Sequence, residues 1–175
     1  LALVTTGLLL LVGTPIAWWL ARTHSRLKAP VAACVALPLV LPPTVLGFHI
    51  LITIGPHSPI GRFYTDLVGH PLPFSFQGLL LASILYSLPF AVQPFATAFE
   101  QVDRKLIEAS WTLGLSKLKT FFRLILPLST AGLITGVVLS FAHTLGEFGV
   151  VLMVGGNIEG ITRTVSIEIY DEVQA

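Results

Sequence analysis

Few side chains in this chain could take part in chemistry, and two of them lie four residues apart in an apolar stretch. Glu147 is the only acidic residue inside that stretch, and His143 precedes it on the same face of a predicted helix. A carboxyl group and an imidazole at this spacing could relay a proton. They could equally hold each other or a neighbouring helix, or Glu147 could cap backbone that is loosened by Gly146 and Gly149.

The remaining reactive groups do not form a recognisable site. His49, His57 and His70 lack the grouping of metal ligands, and one cysteine, Cys34, permits neither an internal disulfide nor a thiolate cluster. The sequence contains no grouped nucleophile, base and orienting acid, and no G-x-x-x-x-G-K-[S/T] run for nucleotide phosphates. We therefore predict no catalytic residue, no metal, no cofactor and no ATP hydrolysis by this chain itself.

The composition identifies the elements that must position these residues. Of 175 residues, 54% are hydrophobic and 11% charged, and the mean hydropathy is +0.84. A soluble domain has about 25% charged residues, and a disordered chain is polar, so both classes are excluded. The net charge of +1 indicates no nucleic-acid partner. These values predict an all-α, polytopic protein of the lipid bilayer.

Four segments are apolar and long enough to cross a membrane, which takes about 20 residues per helix. They cover approximately Leu1–Ala21, Ala29–Ile54, Phe76–Phe99 and Leu128–Val154. Interior prolines predict that the second and third spans are kinked or broken. They are Pro30, Pro38, Pro42 and Pro43 in the second span, and Pro89 and Pro94 in the third.

The ends of the chain suggest a fragment of one membrane domain. Its first residue lies inside an apolar run, and its last follows a polar stretch without a closing span. We therefore expect residues 1–175 to be a single domain, incomplete at both ends, with a further span after Ala175.

The basic residues predict the orientation of the four spans. Eight of the ten lysines and arginines lie in the first and third connections, between residues 22 and 28 and between residues 100 and 126. Arg62 and Arg163 are the two in the other connections. The positive-inside rule makes the first group cytoplasmic.

The longer cytoplasmic connection, about residues 100–127, predicts two short helices. Apolar residues recur among charged ones up to Leu113, and Gly114 occupies a position where a helix C-cap favours positive φ. Ser116 can cap a second helix that leads back to the membrane. From the residues alone this segment is either a compact knob or an ordinary amphipathic connector on the headgroups.

This connection resembles the "EAA" loop of ABC importer permeases. The family pattern is Glu-Ala-Ala, three residues, Gly, nine residues, Ile, one residue and Leu-Pro. The matching residues here are Glu108, Ala109, Ser110, Gly114, Leu124, Leu126 and Pro127, with Ser110 and Leu124 as the departures. The resemblance implies a type I permease fold whose coupling helix docks into a cytoplasmic ATPase through Glu108, Ala109 and Gly114.

Within that superfamily the chain resembles the molybdate/tungstate permeases over nearly its whole length. The matching stretches are Leu37–Pro43, Gly146–Gly149, Asn157–Ile158, Thr162–Thr164 and the outer segment Ser58–Gly69. Sulfate and thiosulfate permeases share the first two stretches, and Thr162-Arg163-Thr164 favours molybdate or tungstate. The resemblance also implies a homodimer in the cell membrane, two ATPase subunits, an extracytoplasmic oxyanion-binding protein and alternating access.

Several residues have two possible roles after this assignment. A carboxylate repels a divalent oxyanion, so we favour a structural or gating role for Glu147, while a proton-coupled carrier that uses Glu147 and His143 is the alternative from another class. Pro42-Pro43 either unwinds the second span beside the pathway or makes a kink that matters only for packing.

Two helical patterns remain to be placed. Gly132, Gly136 and Ser140 permit close helix packing, within the chain or between chains. The outer segment from Ser58 to Gly69 predicts a short helix with one apolar face. That face lies on the membrane or against the binding protein.

Overall fold

The protein is all-helical in a computed structural model that describes residues 1–174. Two helices are long: α1 (Ala2–Arg22) and α5 (Phe76–Glu100). The other helices are α2 (Lys28–Val40), α3 (Pro43–Ile54), α4 (Pro59–Val68), α6 (Arg104–Thr112), α7 (Lys117–Thr120), α8 (Leu126–Leu128), α9 (Thr130–Gly146), α10 (Gly149–Gly155) and α11 (Val165–Gln174). A π-helical turn, Phe121–Ile125, joins α7 to α8.

Helices α1 and α5 are each long and apolar enough to cross a bilayer, and two bent pairs can add a span each. The pair α2 and α3 bends by 117° between Val40 and Pro43. The segment Lys117–Leu128 and helix α9 bend by 73°. By length and composition, the described residues therefore provide between two and four spans.

The predicted break in the second span is confirmed. Helix α2 ends before Leu41, and Pro43 is the first residue of α3, where a missing backbone N–H costs nothing. The third span was predicted to be kinked or broken, and it is not broken. Helix α5 runs without interruption through Pro89 and Pro94, because its neighbours pack along its length and hold it in one piece.

The fourth span was predicted as one segment from about Leu128 to Val154, and this is wrong. Helix α9 ends at Gly146, and a separate seven-residue helix, α10, begins at Gly149. Glu147 lies at the junction with extended backbone, φ −72° and ψ 132°. The acid is therefore a feature of a helix break and not of a continuous helix.

The core forms where α1 and α9 pack on α5. Leu9 and Ala17 of α1 and Phe95 and Phe99 of α5 are fully buried. Gly13 lies on the same face of α1, and a Cβ atom there would be 3.5 Å from Val92 Cγ2. Small residues on α1 thus allow two long helices to approach closely, as is usual between membrane helices.

The connections group at two ends of the helices in the way that the basic residues predict. Arg22 binds the end of α5, and Lys28 forms an ion pair with Glu100 at 3.2 Å, so the first and third connections meet. At the opposite end Phe74 donates its N–H to the carbonyl of Val154 at 2.9 Å. Which end is cytoplasmic remains a prediction.

The stripe of small residues on α9 packs within the chain, against α5. A Cβ atom on Gly132 would overlap Ala98, and one on Gly136 would be 2.5 Å from Cε1 of Phe95. Ser140 is buried and donates its hydroxyl to the carbonyl of Gly136. Of the two roles left open by the sequence, the intramolecular one is confirmed for these residues.

Replacing Gly136 by alanine is expected to destabilise the α5–α9 packing. The new methyl group must displace the Phe95 ring, and overpacking of this kind costs about 1–3 kcal/mol. The free energy of unfolding, or the thermal midpoint of the purified protein in detergent, measures the effect. Gly7→Ala is the matched control because nothing lies within 4 Å of a Cβ atom there. Equal stability of the two variants would contradict this packing.

The outer helix is confirmed as α4. The Ser58 hydroxyl accepts from the N–H of Gly61 at 2.8 Å, Pro59 is the first helical residue, and Gly69 ends the helix with φ +84°. Gly61 lies so close to the Gly55 carbonyl that no side chain fits. The apolar face of α4 points outward, with Phe63 and Leu67 72% and 74% exposed.

Candidate coupling loop and transport pathway

The connection that was predicted to be cytoplasmic folds as two helices joined by a tight glycine turn. Asp103 caps α6 by accepting from the N–H of Lys105 at 2.8 Å. At the other end Gly114 has φ +82°, donates to the carbonyl of Trp111, and is followed by Leu115, which donates to that of Ser110. These two bonds form a Schellman motif. The predicted pair of helices bent at a glycine is therefore observed, and we name this segment, Asp103–Pro127, the coupling loop after the loop that it resembles.

A buried hydroxyl pair joins the two halves of the coupling loop. The Ser110 and Thr120 hydroxyls lie 2.9 Å apart, and Ser110 also donates to the carbonyl of Ile107 at 2.7 Å. Both side chains are buried, Ser110 being 6% exposed. Ser110 appeared in the sequence as a mild departure from the Glu-Ala-Ala pattern, but here it holds α6 against α7.

The outward surface of the coupling loop carries the other residues singled out in this segment. Glu108 and Ala109 are exposed, and the Glu108 carboxylate contacts Arg104 at 2.9 Å. Gly114 is exposed beside Leu113, which is 84% exposed. Leu126 packs against the core, and Pro127 is exposed next to the bend that leads into α9. The exposed Glu108 and Leu113 are available for contact with a partner protein.

The return from the coupling loop to α9 contains a π-helical turn that sequence analysis missed. The turn covers Phe121–Ile125 and precedes Pro127, which has no N–H to continue a regular helix. Ser129 lies at the bend, buried, with its hydroxyl 3.4 Å from the carbonyl of Ala98. The motif residues Leu126 and Pro127 thus set the angle between the coupling loop and α9.

Arg22 ties the end of α1 to the end of α5, just before the coupling loop begins, and sequence analysis counted it only as a positive charge. One terminal nitrogen donates to the carbonyls of Phe99 and Val102, at 2.8 and 2.9 Å, where α5 ends. The guanidinium also lies over the Trp18 ring at 5.2 Å. Trp18 in turn contacts the ring of Phe121 at 5.5 Å. The ends of α1 and α5 and the return segment of the coupling loop therefore meet at Arg22 and Trp18.

Glu147 caps the short helix α10. Its Oε1 accepts the N–H of Val150 at 2.8 Å, and its own carbonyl accepts the Ser166 hydroxyl. The side chain is 6% exposed, and Oε2 has no partner among the described residues. The predicted capping of loosened backbone is confirmed. A cap of this kind satisfies a donor that would otherwise be buried and unpaired.

A contact between Glu147 and His143, one of the alternatives that the sequence left open, is not formed within the described residues. The Nδ1 atom of His143 lies 2.9 Å from the Ser87 hydroxyl, and the ring stacks on Phe90 at 3.9 Å. The helix ends between the two residues, so the spacing that would align them no longer applies. His143 fastens α9 to α5, whereas Glu147 belongs to the next helix.

Pro42 and Pro43 lie where α3 meets α10. A Cβ atom on Gly149 would be 2.7 Å from Cβ of Pro43, and one on Gly47 would be 2.9 Å from Cβ of Met153. The two interrupted spans therefore pack on each other, and the structure brings Pro43 next to the break that Glu147 caps. His143 is held apart from this contact by its bonds to α5.

The outer residues Asn157 and Arg163 form a network with α11. The Asn157 side chain donates to Asp171 at 2.9 Å, and Arg163 donates to Asn157 at 3.1 Å and pairs with Glu168 at 3.2 Å. Thr162 is buried and donates to the carbonyl of Gly155. In this structure these side chains organise the outer loop.

Comparison with known proteins places this architecture in a family. The family model described as "Binding-protein-dependent transport system inner membrane component" matches residues 13–174. The molybdenum transport system permease protein ModB of Azotobacter vinelandii is 58% identical over 175 residues, covering 100% of this chain and 77% of the relative. The proteins of the same name from Haemophilus influenzae and Escherichia coli K12 are 38% and 39% identical.

These two alignments cover 91% and 99% of this chain and 69% and 78% of the relatives. With a family match over most of its length, the chain belongs to the inner membrane components of binding-protein-dependent transport systems, and it is a multi-pass permease subunit of an ABC transporter.

Proposed function

We propose that this chain is the permease subunit of an importer that moves molybdate or tungstate across the cytoplasmic membrane. The observation that carries the substrate class is the 58% identity, over the full chain, to a relative named for molybdenum transport. Two copies frame one pathway, an oxyanion-binding protein delivers the anion outside, and two ATPase subunits bind inside. Residues 1–175 belong to a single transmembrane domain of that transporter.

The coupling loop is proposed to receive the motion of the ATPase. Glu108, Ala109 and Gly114 form the docking surface, while Ser110, Leu126 and Pro127 fix its shape and its angle to α9. ATP binding closes the ATPase pair, and the loops then turn the pathway outward. Support comes from the glycine turn at Gly114 and from Trp18, which contacts Phe121 of the loop and lies under Arg22 at the ends of α1 and α5.

Pro42, Pro43 and Glu147 are proposed to act in gating, at the contact between the two interrupted spans. Interrupted membrane helices are a recurrent feature of transport sites, where the elements around them move during alternating access. His143 is proposed to hold α9 on α5 during that movement. A proton relay through His143 and Glu147 gains no support, because His143 bonds to Ser87.

Uptake of radioactive molybdate tests the proposed function. The complete transporter is placed in proteoliposomes with its binding protein outside and ATP inside. We expect uptake that depends on ATP, that tungstate inhibits strongly by competition and that sulfate inhibits only weakly. Collapse of the proton gradient should leave the rate of uptake unchanged.

The competing functions give different results in the same vesicles. Equal competition by sulfate would assign the chain to the sulfate and thiosulfate permeases. Uptake that persists without ATP and stops when the proton gradient collapses would establish a secondary carrier and overturn the proposal.

A further inference from the structure

A cleft of about 450 Å³ opens between α2, α5 and α9. Its walls include Leu39 of α2, Phe90 of α5 and Leu139 of α9, and its floor is formed by Ala98 and Gly132. At the floor α5 and α9 are in close contact, since a Cβ atom on Gly132 would overlap Cβ of Ala98. The cleft lies within the membrane-spanning helices and runs along α5.

One wall of the cleft is polar. Gln93 and Thr97 lie four residues apart on one face of α5, and Gln101 follows at the same spacing as the residue that caps the end of this helix. All three side chains are exposed. The hydrogen bonds formed within residues 1–174 involve none of these three side chains. Across the cleft, Thr135 donates its hydroxyl to the carbonyl of Ala131 at 2.9 Å and presents its oxygen.

Neither lipid nor a protein core explains this polar wall. An amide that faces acyl chains without a partner is costly, because the hydrocarbon offers no hydrogen bond in place of water. Polar side chains in spans are accordingly found against other helices or water-filled cavities. Two serines of α5 follow this rule, since Ser83 and Ser87 are buried.

The polar groups of the wall suit weak, transient binding of an anion that moves through the cleft. Amide and hydroxyl groups donate hydrogen bonds without adding a full charge, so they can replace part of a hydration shell and still release the ion. Neither acidic nor basic residues line the cleft. Glu100, which ends α5 beyond it, is paired with Lys28 at 3.2 Å.

We propose that this cleft is one half of the water-filled transport pathway, and that Gln93, Thr97 and Gln101 donate hydrogen bonds to the passing oxyanion. The oxyanion class rests on the proposed function, whereas the contact with water rests on the cleft alone. The open side of the cleft faces the second copy of the chain, which supplies the same three groups.

Cysteine labelling of the complete transporter tests the pathway. Cys34 is first replaced by alanine, and Gln93→Cys and Thr97→Cys are then compared with Ile134→Cys. Ile134 is 58% exposed in a separate, apolar groove that α9 forms with α1. We expect a negatively charged, water-soluble thiol reagent to modify the first two at least about tenfold faster than the third, as aqueous and lipid-facing sites differ.

The outcomes separate this proposal from the proposed function. Molybdate is expected to slow labelling at Thr97→Cys, but access of the reagent itself does not depend on which anion is carried. If residues 93 and 97 react no faster than residue 134 while molybdate uptake is intact, the pathway assignment is overturned and the proposed function stands. If they react fast in a transporter that proves to carry sulfate, only the substrate class changes.

A second measurement examines the hydrogen bonds. The double variant Gln93→Leu, Thr97→Val is expected to lower the rate of uptake about tenfold. A tenfold change corresponds to about 1.4 kcal/mol, which the loss of two hydrogen-bond donors can account for. Gln77→Leu is the matched control, because Gln77 is an exposed glutamine of the same helix outside the cleft. Uptake at the control's rate in a fully assembled double variant would contradict the assigned role of these donors.

Discussion

Replacing Gly114 with proline is expected to abolish coupled uptake. Gly114 has φ +82° and donates its N–H to Trp111, whereas proline is fixed near −65° and has no N–H. A non-glycine residue in this backbone region costs on the order of 1–3 kcal/mol, and the lost bonds add to that cost. The turn between α6 and α7 then opens. ATPase subunits should fail to co-purify, or should hydrolyse ATP without molybdate uptake in proteoliposomes.

A second glycine provides the control. Gly69 ends the outer helix α4 with φ +84°, and, as at Gly114, nothing lies within 4 Å of a Cβ atom. Gly69→Pro imposes the same local strain away from the coupling loop, so we expect it to keep ATP-driven uptake. Normal uptake with Gly114→Pro, or equal losses with both variants, would contradict the assignment of the coupling loop.

Charge exchange separates the surface of the loop from its shape in the same assay. Glu108 contacts Arg104 at 2.9 Å, and an exposed pair of this kind adds at most about 1 kcal/mol to stability. Glu108→Arg should therefore fold and yet lose coupling. Combining it with Arg104→Glu restores the internal pair but leaves the partner's contact reversed, so uptake should stay low. Recovery in the double variant would show that Glu108 serves only Arg104.

Features fixed by neighbouring residues could be predicted from the sequence. Ser58 and Gly69 bound α4, and Gly114 and Ser116 divide the coupling loop, because caps and positive-φ turns depend on a few adjacent atoms. The break at Pro42-Pro43 follows from the chemistry of proline in the same way. Such signals locate where helices start and stop without any knowledge of the fold.

Features that depend on contacts across the chain could not be predicted. Arg22 binds carbonyls 77 and 80 residues away, and its sequence neighbours show only that it ends an apolar helix. Pro89 and Pro94 suggested a break, but packing by α1 and α9 keeps α5 whole. The pairing of His143 with Glu147 assumed an unbroken helix, and the cap at Val150 made that assumption wrong.

Because of these non-local contacts, α9 joins the coupling loop to the interrupted spans that are the proposed gate. One end of α9 bends at Ser129, which is buried against Ala98. The other end stops at Glu147, beside the contact between Gly149 and Pro43. Between them, glycine contacts with Phe95 and the His143–Ser87 bond hold α9 to α5. Helix α9 is therefore the element through which we propose that a displacement of the coupling loop reaches the interrupted spans.

Glu147 lies at the junction between α9 and α10, and Glu147→Leu is expected to prevent assembly of the transporter. Leucine cannot accept from Val150, so that buried N–H loses its partner, at a cost of about 1–3 kcal/mol. Loss of the helix cap is part of the same effect. Glu147→Gln keeps an oxygen for Val150 and supplies an amide at the position of the unpartnered Oε2. The yield of assembled transporter after detergent extraction should fall sharply for leucine only.

Transport by the Gln variant then decides what Glu147 does besides capping. We expect a reduced rate of molybdate uptake with unchanged preference over sulfate, because the gate is looser while the pathway groups are untouched. A proton relay would make the Gln variant inactive although assembled, since an amide does not titrate. A role in selecting the anion would change the preference between molybdate and sulfate. Either result would refute a purely structural role for Glu147. Glu159→Leu is the control, because Glu159 is an exposed acid of the outer loop, and its yield and rate of uptake should match those of the unaltered protein.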